Sequence, residues 1–142
     1  MWVADLQNGN YRNPVLYADY SDPDAIRVGE DYFMVASSFS NSPALPILHS
    51  KDLVNWKVIN YCLKHVPEFR YNNPIHGCGV WAPSIRYHEG TYYVCFPMPD
   101  EGIYMTTTKD PWGEWSEPVN IRPGAGWIDP CPFWDDDGNA YL

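Results

Sequence analysis

Positive charge is scarce in this chain: nine Lys and Arg stand against 18 Asp and Glu, for a formal net charge of −9, and the cations form no run. Phosphate-rich partners need clustered cations, so no nucleic-acid partner is expected. Long apolar runs are missing too, which removes a membrane-spanning helix and with it a membrane partner. The opening Met1-Trp2-Val3-Ala4-Asp5-Leu6-Gln7 has neither the basic nor the apolar region of a secretory signal. That points to a cytoplasmic protein, with a secreted form whose signal has been removed as the alternative. Cys62, Cys78, Cys95 and Cys131 are scattered and form no Cys-x-x-Cys pair. They read as reduced, mostly core thiols, with a pair of disulfides as the alternative. His49, His65, His76 and His88 show no ligand spacing, so no metal site is expected. Helical periodicity is absent apart from a short turn near residues 65–70.

What the chain does have is apolar and aromatic surface. Its 142 residues are 45% apolar and 16% aromatic with only 19% charged, enough for a core and rich in strand-forming or ring-stacking side chains. Residues 1–12 are polar and weakly patterned, a lead-in. From Asn13 onward a grammar of short strands and turns sets in. Ala25-Ile26-Arg27-Val28, a turn at Gly29-Glu30-Asp31, and Tyr32-Phe33-Met34-Val35-Ala36 form a hairpin. A loop at 37–46, the strand Ile47-Leu48-His49-Ser50 and a turn at Lys51-Asp52-Leu53-Val54-Asn55-Trp56 follow. The pattern returns about 60 residues on, as an internal repeat. Ile85-Arg86-Tyr87, the turn His88-Glu89-Gly90, Thr91–Phe96, Ile103–Thr108 and Lys109-Asp110-Pro111-Trp112 repeat its elements in order. A third copy opens at Asp129-Pro130 and runs through Asp135-Asp136-Asp137-Gly138 to Asn139-Ala140-Tyr141-Leu142.

Four short strands per unit with fixed turn motifs predict an all-β fold, a β-propeller, rather than a single sandwich. The sandwich explains the strand count but not the recurring Lys-Asp and Trp. At the observed period the chain makes roughly two and a half blades, fewer than the four or more at which propellers close. The expectation is therefore the N-terminal part of a longer propeller, whose remaining blades are its partner. Asp22, Trp81 and Asp129 open the three repeats, and blade openings meet at the propeller axis. Two carboxylates with aromatic walls at one cavity suit sugar binding, with rings stacked on aromatic faces and hydroxyls held by carboxylates. Asp22-Pro23 is expected to hold its carboxylate on an extended corner, because proline pushes the preceding residue toward the extended region. A plain turn is the competing reading of Asp22-Pro23 and of Asp129-Pro130. Core packing between blades competes for Trp81. Trp56, Trp112 and Trp115 read as structural parts of the repeat turns. Asp135–Asp137 reads as a solvated hairpin turn and not a calcium loop, since no EF-hand spacing follows.

Several motifs together carry a resemblance. Asn13-Pro14-Val15-Leu16 with Asp22-Pro23, Ser37-Ser38-Phe39, His49-Ser50-Lys51-Asp52-Leu53-Val54-Asn55-Trp56, Trp81-Ala82-Pro83, and Gly126-Trp127-Ile128-Asp129-Pro130 with Asp135-Asp136-Asp137-Gly138 resemble glycoside hydrolase family 43. The resemblance implies a five-bladed β-propeller with β-xylosidase, α-L-arabinofuranosidase or arabinanase activity. It implies that Asp22 is the general base that activates water. Asp129 would be the aspartate that tunes the acid's pKa and orients the substrate. The general acid, a glutamate, would lie outside residues 1–142. It implies inversion at the anomeric carbon, with base and acid about 6.5–9.5 Å apart around a water. Trp81, and less directly Phe39, would wall the sugar subsite. No cofactor is required by this chemistry. Some members hold a structural calcium at the axis, for which the ligands are expected outside this chain. The loop Ser40-Asn41-Ser42-Pro43-Ala44-Leu45-Pro46 departs from the aromatic loop of many xylosidases, which brings arabinofuranose forward as a rival to xylose. Asn72, Asn73 and His76, in the insertion before Trp81, are further candidates for substrate contact. The expected function is exo-acting release of xylose or arabinose from hemicellulose-derived oligosaccharides. A non-catalytic carbohydrate-binding propeller and an arabinan-degrading enzyme are the alternatives.

Overall fold

The computed structural model describes residues 2–142. Two four-stranded antiparallel sheets, each a blade, follow one another along the chain. Blade one orders β1 (Asp24–Val28), β2 (Asp31–Val35), β3 (Ala44–Ser50) and β4 (Lys57–Leu63). Blade two orders β5 (Ser84–His88), β6 (Thr91–Met98), β7 (Gly102–Thr108) and β8 (Val119–Pro123). A third unit opens as the hairpin β9 (Phe133–Trp134) and β10 (Ala140–Tyr141). The meander is that of a propeller, and the repeat in the sequence is a repeat of blades. None of the described helices is long and apolar enough to cross a membrane.

The two blades match in register as well as in order. Asp24 faces Val35 across the first hairpin of blade one, and Ser84 faces Cys95 across that of blade two. Each has a two-residue loop, Gly29-Glu30 in one and Glu89-Gly90 in the other. Gly29 sits at φ 63 and Gly90 at φ 80, the left-handed backbone that tight hairpins need and glycine supplies. Both blades also slip register between their third and fourth strands, at Ile47/Leu48 and Ile103/Tyr104. Such bulges bend and twist the outer strand.

The middle strands are buried almost continuously instead of alternately, because each blade is covered on both faces. One core runs through both blades, with Val35, Leu45, Ile47, Ile85, Val94, Phe96 and Met98 all inaccessible. Phe33 is the contact point: Tyr92 and Trp112 of blade two meet its ring edge-on at centroid distances of 5.2 and 5.3 Å. His49 also lies 5.1 Å from the Trp112 ring. Trp112 is thus a structural residue, as its turn position suggested. On the rim, the Asn60 side-chain amide donates to the Pro111 carbonyl at 3.1 Å and the Gly113 carbonyl at 2.6 Å.

Two departures from the sequence reading concern segments between strands. The lead-in is folded back as a small hairpin, with Asp5 bridging Tyr11 and the Asp5 carboxylate accepting from the Asn55 side chain at 2.9 Å. The long connection from β4 to β5 carries a short 3-10 turn, Phe69–Asn72, overlapping the end of the predicted turn. Arg70 on that turn pairs with Asp100 at 2.7 Å and with Glu101, and the Tyr104 hydroxyl donates to Glu68 at 2.7 Å. The connection is thereby strapped onto the β6–β7 turn.

Candidate functional site

Asp22 lies at the entry to β1, and the residue before it is clasped. Ser37, at the exit of β2, donates its backbone N–H to the Ser21 carbonyl at 3.1 Å and its hydroxyl to the same carbonyl at 3.0 Å. The two serine hydroxyls also touch. On the other side Asp24 is committed to blade two, its carboxylate accepting the Ile85 N–H at 2.9 Å. With both flanks tied, the bend falls on Asp22, which takes φ 48. The extended corner expected from Pro23 is therefore not formed. The carboxylate stands on left-handed backbone, a conformation that costs a non-glycine residue of order 1–2 kcal/mol and is tolerated best by Asp and Asn.

Phe39 continues from the same clasp. It too is left-handed, at φ 51, and it exchanges two backbone hydrogen bonds with Val80, at 2.8 and 3.0 Å. Gly79 makes this approach possible: at φ 96, a Cβ built on it would stand 2.4 Å from the Phe39 carbonyl oxygen. Trp81 follows directly, its backbone N–H donating to the Pro97 carbonyl at 3.1 Å and its indole N–H to the Gly77 carbonyl at 3.0 Å. Trp81 is 38% exposed. One track of backbone bonds, from Ser21 through Ser37, Phe39 and Val80 to Trp81, thus brings three of the four sequence candidates together.

Asp129 comes from the third unit. The segment before it is pinned to blade two by the Gly124 N–H on the Glu101 carbonyl at 3.0 Å and the Gly126 N–H on the Pro99 carbonyl at 2.7 Å. Arg122 lies over the Trp127 ring, 4.4 Å from its centroid. Asp129 is exposed while Pro130 after it is buried, so the proline anchors the corner and leaves the carboxylate free. Like Asp22, it is left-handed, at φ 53.

Arg86 joins the two corners. Its Nη1 donates to the Asp24 carboxylate and to the Ile85 carbonyl, both at 2.6 Å, and its Nη2 donates to the Cys131 Sγ at 2.9 Å. Partial burial opposes the Arg86 charge, but the hydrogen bond and charge of Asp24 outweigh it and hold the pKa above the ordinary arginine value. Cys95 lies close by in β6, and burial, with the neighbouring Cys131, pushes its thiol up to about 12, so it is protonated at neutral pH. The four cysteines are unpaired with one another.

Sequence reading passed over Asp24, Arg86 and Cys131. A signal was there: each Asp-Pro corner is followed, two residues past the aspartate, by a polar side chain, and the intervening repeat carries a lone arginine on its inner strand. Asn72, Asn73 and His76 lie exposed on the strap. Asn72 borders a small cleft of about 240 Å³ with Ser40, Ser42 and His65, beside the loop that distinguishes this chain. A groove of about 420 Å³ between β4 and the Gly113–Pro118 segment lies on the rim and contains none of the four candidates. Among the described residues no three His, Cys, Asp or Glu side chains converge as a metal cage.

The family model described as Glycosyl hydrolases family 43 matches residues 11–142. The chain belongs to glycoside hydrolase family 43. A family 43 relative from Bacteroides ovatus, a non-reducing end α-L-arabinofuranosidase, is 40% identical over 153 residues, covering 100% of this chain and 28% of the relative. A β-xylosidase from Formosa agariphila is 40% identical over 146 residues, covering 98% of this chain and 24% of the relative. The solved family 43 structure of BlXynB from Bacillus licheniformis superposes with a TM-score of 0.81 at 40% identity, over 92% of this chain and 28% of that one. The chain spans about a quarter of the length of the curated relatives it matches. Within family 43, then, this segment supplies two propeller blades and the opening of a third.

Proposed function

We propose that the protein carrying this chain is an inverting, exo-acting glycoside hydrolase that releases xylose or arabinofuranose from hemicellulose-derived oligosaccharides. The observation that carries the reading is the pair of left-handed Asp-Pro corners, Asp22 and Asp129, each exposed and each presented from the inner end of a blade. Aromatic walls Phe39 and Trp81 are bonded into the same track. The names of the relatives, β-xylosidase and non-reducing end α-L-arabinofuranosidase, agree with that substrate class. Asp22 takes the proton from the attacking water. Asp129 stands beside the acid, disfavours its ionised form by like-charge repulsion, and holds a sugar hydroxyl. The general acid is a glutamate from a later blade. The sugar ring stacks on Trp81, with Phe39 closing the other side.

No step in this reading uses a metal.

The test is the anomeric configuration of the first-formed sugar. Proton NMR on the full-length protein, supplied in turn with a xyloside and an arabinofuranoside, should show inversion, with the faster substrate naming the specificity. A retained anomer would mean a covalent intermediate and remove Asp22 as a water-activating base. No product from either substrate would favour an arabinan-degrading enzyme or a propeller that binds sugar without turning it over.

A further inference from the structure

We propose that Arg86 is the positioning residue that sets the two corner carboxylates, Asp22 and Asp129, against each other. This rests on the hydrolase reading above but names a residue outside its reacting groups.

The three units open with the same backbone figure, an Xaa-Pro-Yaa corner: Asp22-Pro23-Asp24, Ala82-Pro83-Ser84 and Asp129-Pro130-Cys131. In the first and third the leading residue is an exposed aspartate on left-handed backbone, and the trailing residue is bound to Arg86. A residue two positions along lies within about 7 Å, Cα to Cα, so each aspartate is tethered to the guanidinium by a single short segment. That segment is stiff, because proline fixes one of its dihedrals. Arg86 itself has little freedom. Its Nη1 is shared between the Asp24 carboxylate and the Ile85 carbonyl, and the Ile85 N–H returns to the same carboxylate.

The guanidinium is planar, with donors in a fixed fork. When one arm holds Asp24 and the other Cys131, the fork fixes the Asp24 Oδ2 and the Cys131 Sγ within about 8 Å of each other. Moving Arg86 therefore moves one corner relative to the other, or releases both. An inverting mechanism depends on the spacing of its carboxyl groups around a water, and a misplacement of about 1 Å can cost a hundredfold in rate. The middle unit has no carboxylate at its own corner, where Ala82 stands, and supplies the cation instead.

The experiment is steady-state kinetics and thermal melting of the full-length protein with Arg86→Gln, Arg86→Lys and Cys131→Ala. Arg86→Gln is expected to lower kcat about 10- to 100-fold with KM changed less than about threefold, the range seen when groups that orient active residues are lost. Arg86→Lys keeps the pair with Asp24 but cannot also hold Cys131, so it should restore the melting temperature and leave kcat low. Cys131→Ala releases only the third unit, without unpairing a charge, and should lower kcat several-fold at an unchanged melting temperature. A wild-type kcat in Arg86→Gln overturns the proposal. So does recovery of kcat together with melting temperature in Arg86→Lys, which is the behaviour of a structural staple. If Arg86→Gln does not fold, Cys131→Ala decides: wild-type turnover overturns the proposal and a several-fold loss supports it. The anomeric configuration of the wild-type product is read alongside. A retained product would remove the role given to Asp22 whatever Arg86 does, so the two failures are separable.

Discussion

Blade one and blade two are nearly the same object built twice, and they part company at their inner ends. Ladder register, hairpin loops and the outer bulge all repeat. At the axis, however, blade one opens on Asp22 in left-handed backbone, while blade two opens on Ala82, which has no positive φ. Asp24 at the head of β1 grips the neighbouring blade; its counterpart Ser84 is buried with a hydroxyl that has no partner among the described residues. Ile26 of blade one corresponds to Arg86 of blade two. The difference shows where a repeated scaffold is allowed to vary. The ladders keep their register while the residues at the inner ends of the first strands change.

The largest effect should come from removing the feature that separates the two corners. Asp22→Asn in the full-length protein is expected to keep the fold and lower kcat about 10²- to 10⁴-fold, the usual contribution of a general base. Circular dichroism together with turnover on an unactivated disaccharide checks this; wild-type turnover would place the base elsewhere.

The next effect concerns the track that carries Phe39. Gly79→Ala puts a methyl group 2.4 Å from the Phe39 carbonyl on a φ of 96. A loss of about 3 kcal/mol in stability and a raised KM are expected from overpacking on strained backbone. Gly29→Ala, at φ 63 with nothing within 4 Å, has only the backbone term and should lose about 1 kcal/mol. Equal losses in urea unfolding would mean that the close approach does not matter.

A smaller contrast tests the corners by stability alone. Asp22→Gly should be near neutral, since relief of the left-handed conformation offsets the added freedom of the unfolded chain. Ala82→Gly has no strain to relieve and should cost about 1 kcal/mol. Thermal melts of the two variants decide it.

The smallest effect is expected at the outer turns. Asp52 accepts hydrogen bonds from the Ser50 hydroxyl and from the backbone N–H groups of Val54 and Asn55, whereas the Asp110 carboxylate accepts the Trp112 N–H. Asp52→Ala should cost about 1 kcal/mol, as for the loss of a helix cap, and Asp110→Ala about half that. The Asn55 side chain and the backbone donors hold the Asp52 carboxyl well below the usual carboxylate range. Its ionised form is favoured by folding, so its contribution is complete above the unfolded value of about 4 and is lost as pH falls toward the folded value. Asp52→Asn should flatten the acid side of a melting-temperature profile.

Much of this organisation was legible in the chain. The strand-rich Tyr32-Phe33-Met34-Val35 and Thr91-Tyr92-Tyr93-Val94, bounded by the turn residues Gly29 and Gly90, marked the hairpins, and Lys51-Asp52 with Lys109-Asp110 marked the repeat. Three of the four candidate residues, Asp22, Phe39 and Trp81, fall on one hydrogen-bonded track. What local pattern does not show is the bend at Asp22. Pro23 argues for an extended corner, and only the tertiary ties of Ser21 to Ser37 and of Asp24 to Ile85 overrule it. Strand β8 was equally quiet in the sequence. Val119-Asn120-Ile121-Arg122-Pro123 is an outer strand with little burial, and an edge needs little apolar pattern. Asp24, Arg86 and Cys131 share a position relative to each repeat's corner, but that they bond to one another arises only when three distant segments meet.

The edge-on seating of Trp112 against Phe33 has a consequence for how such a protein is made. Blade one leaves the ribosome first, yet the side chain that covers its second face is synthesised roughly 80 residues later, a delay on the order of ten seconds at ordinary translation speeds. Until Tyr92 and then Trp112 follow, that face of Phe33 is an apolar surface on a nascent polypeptide.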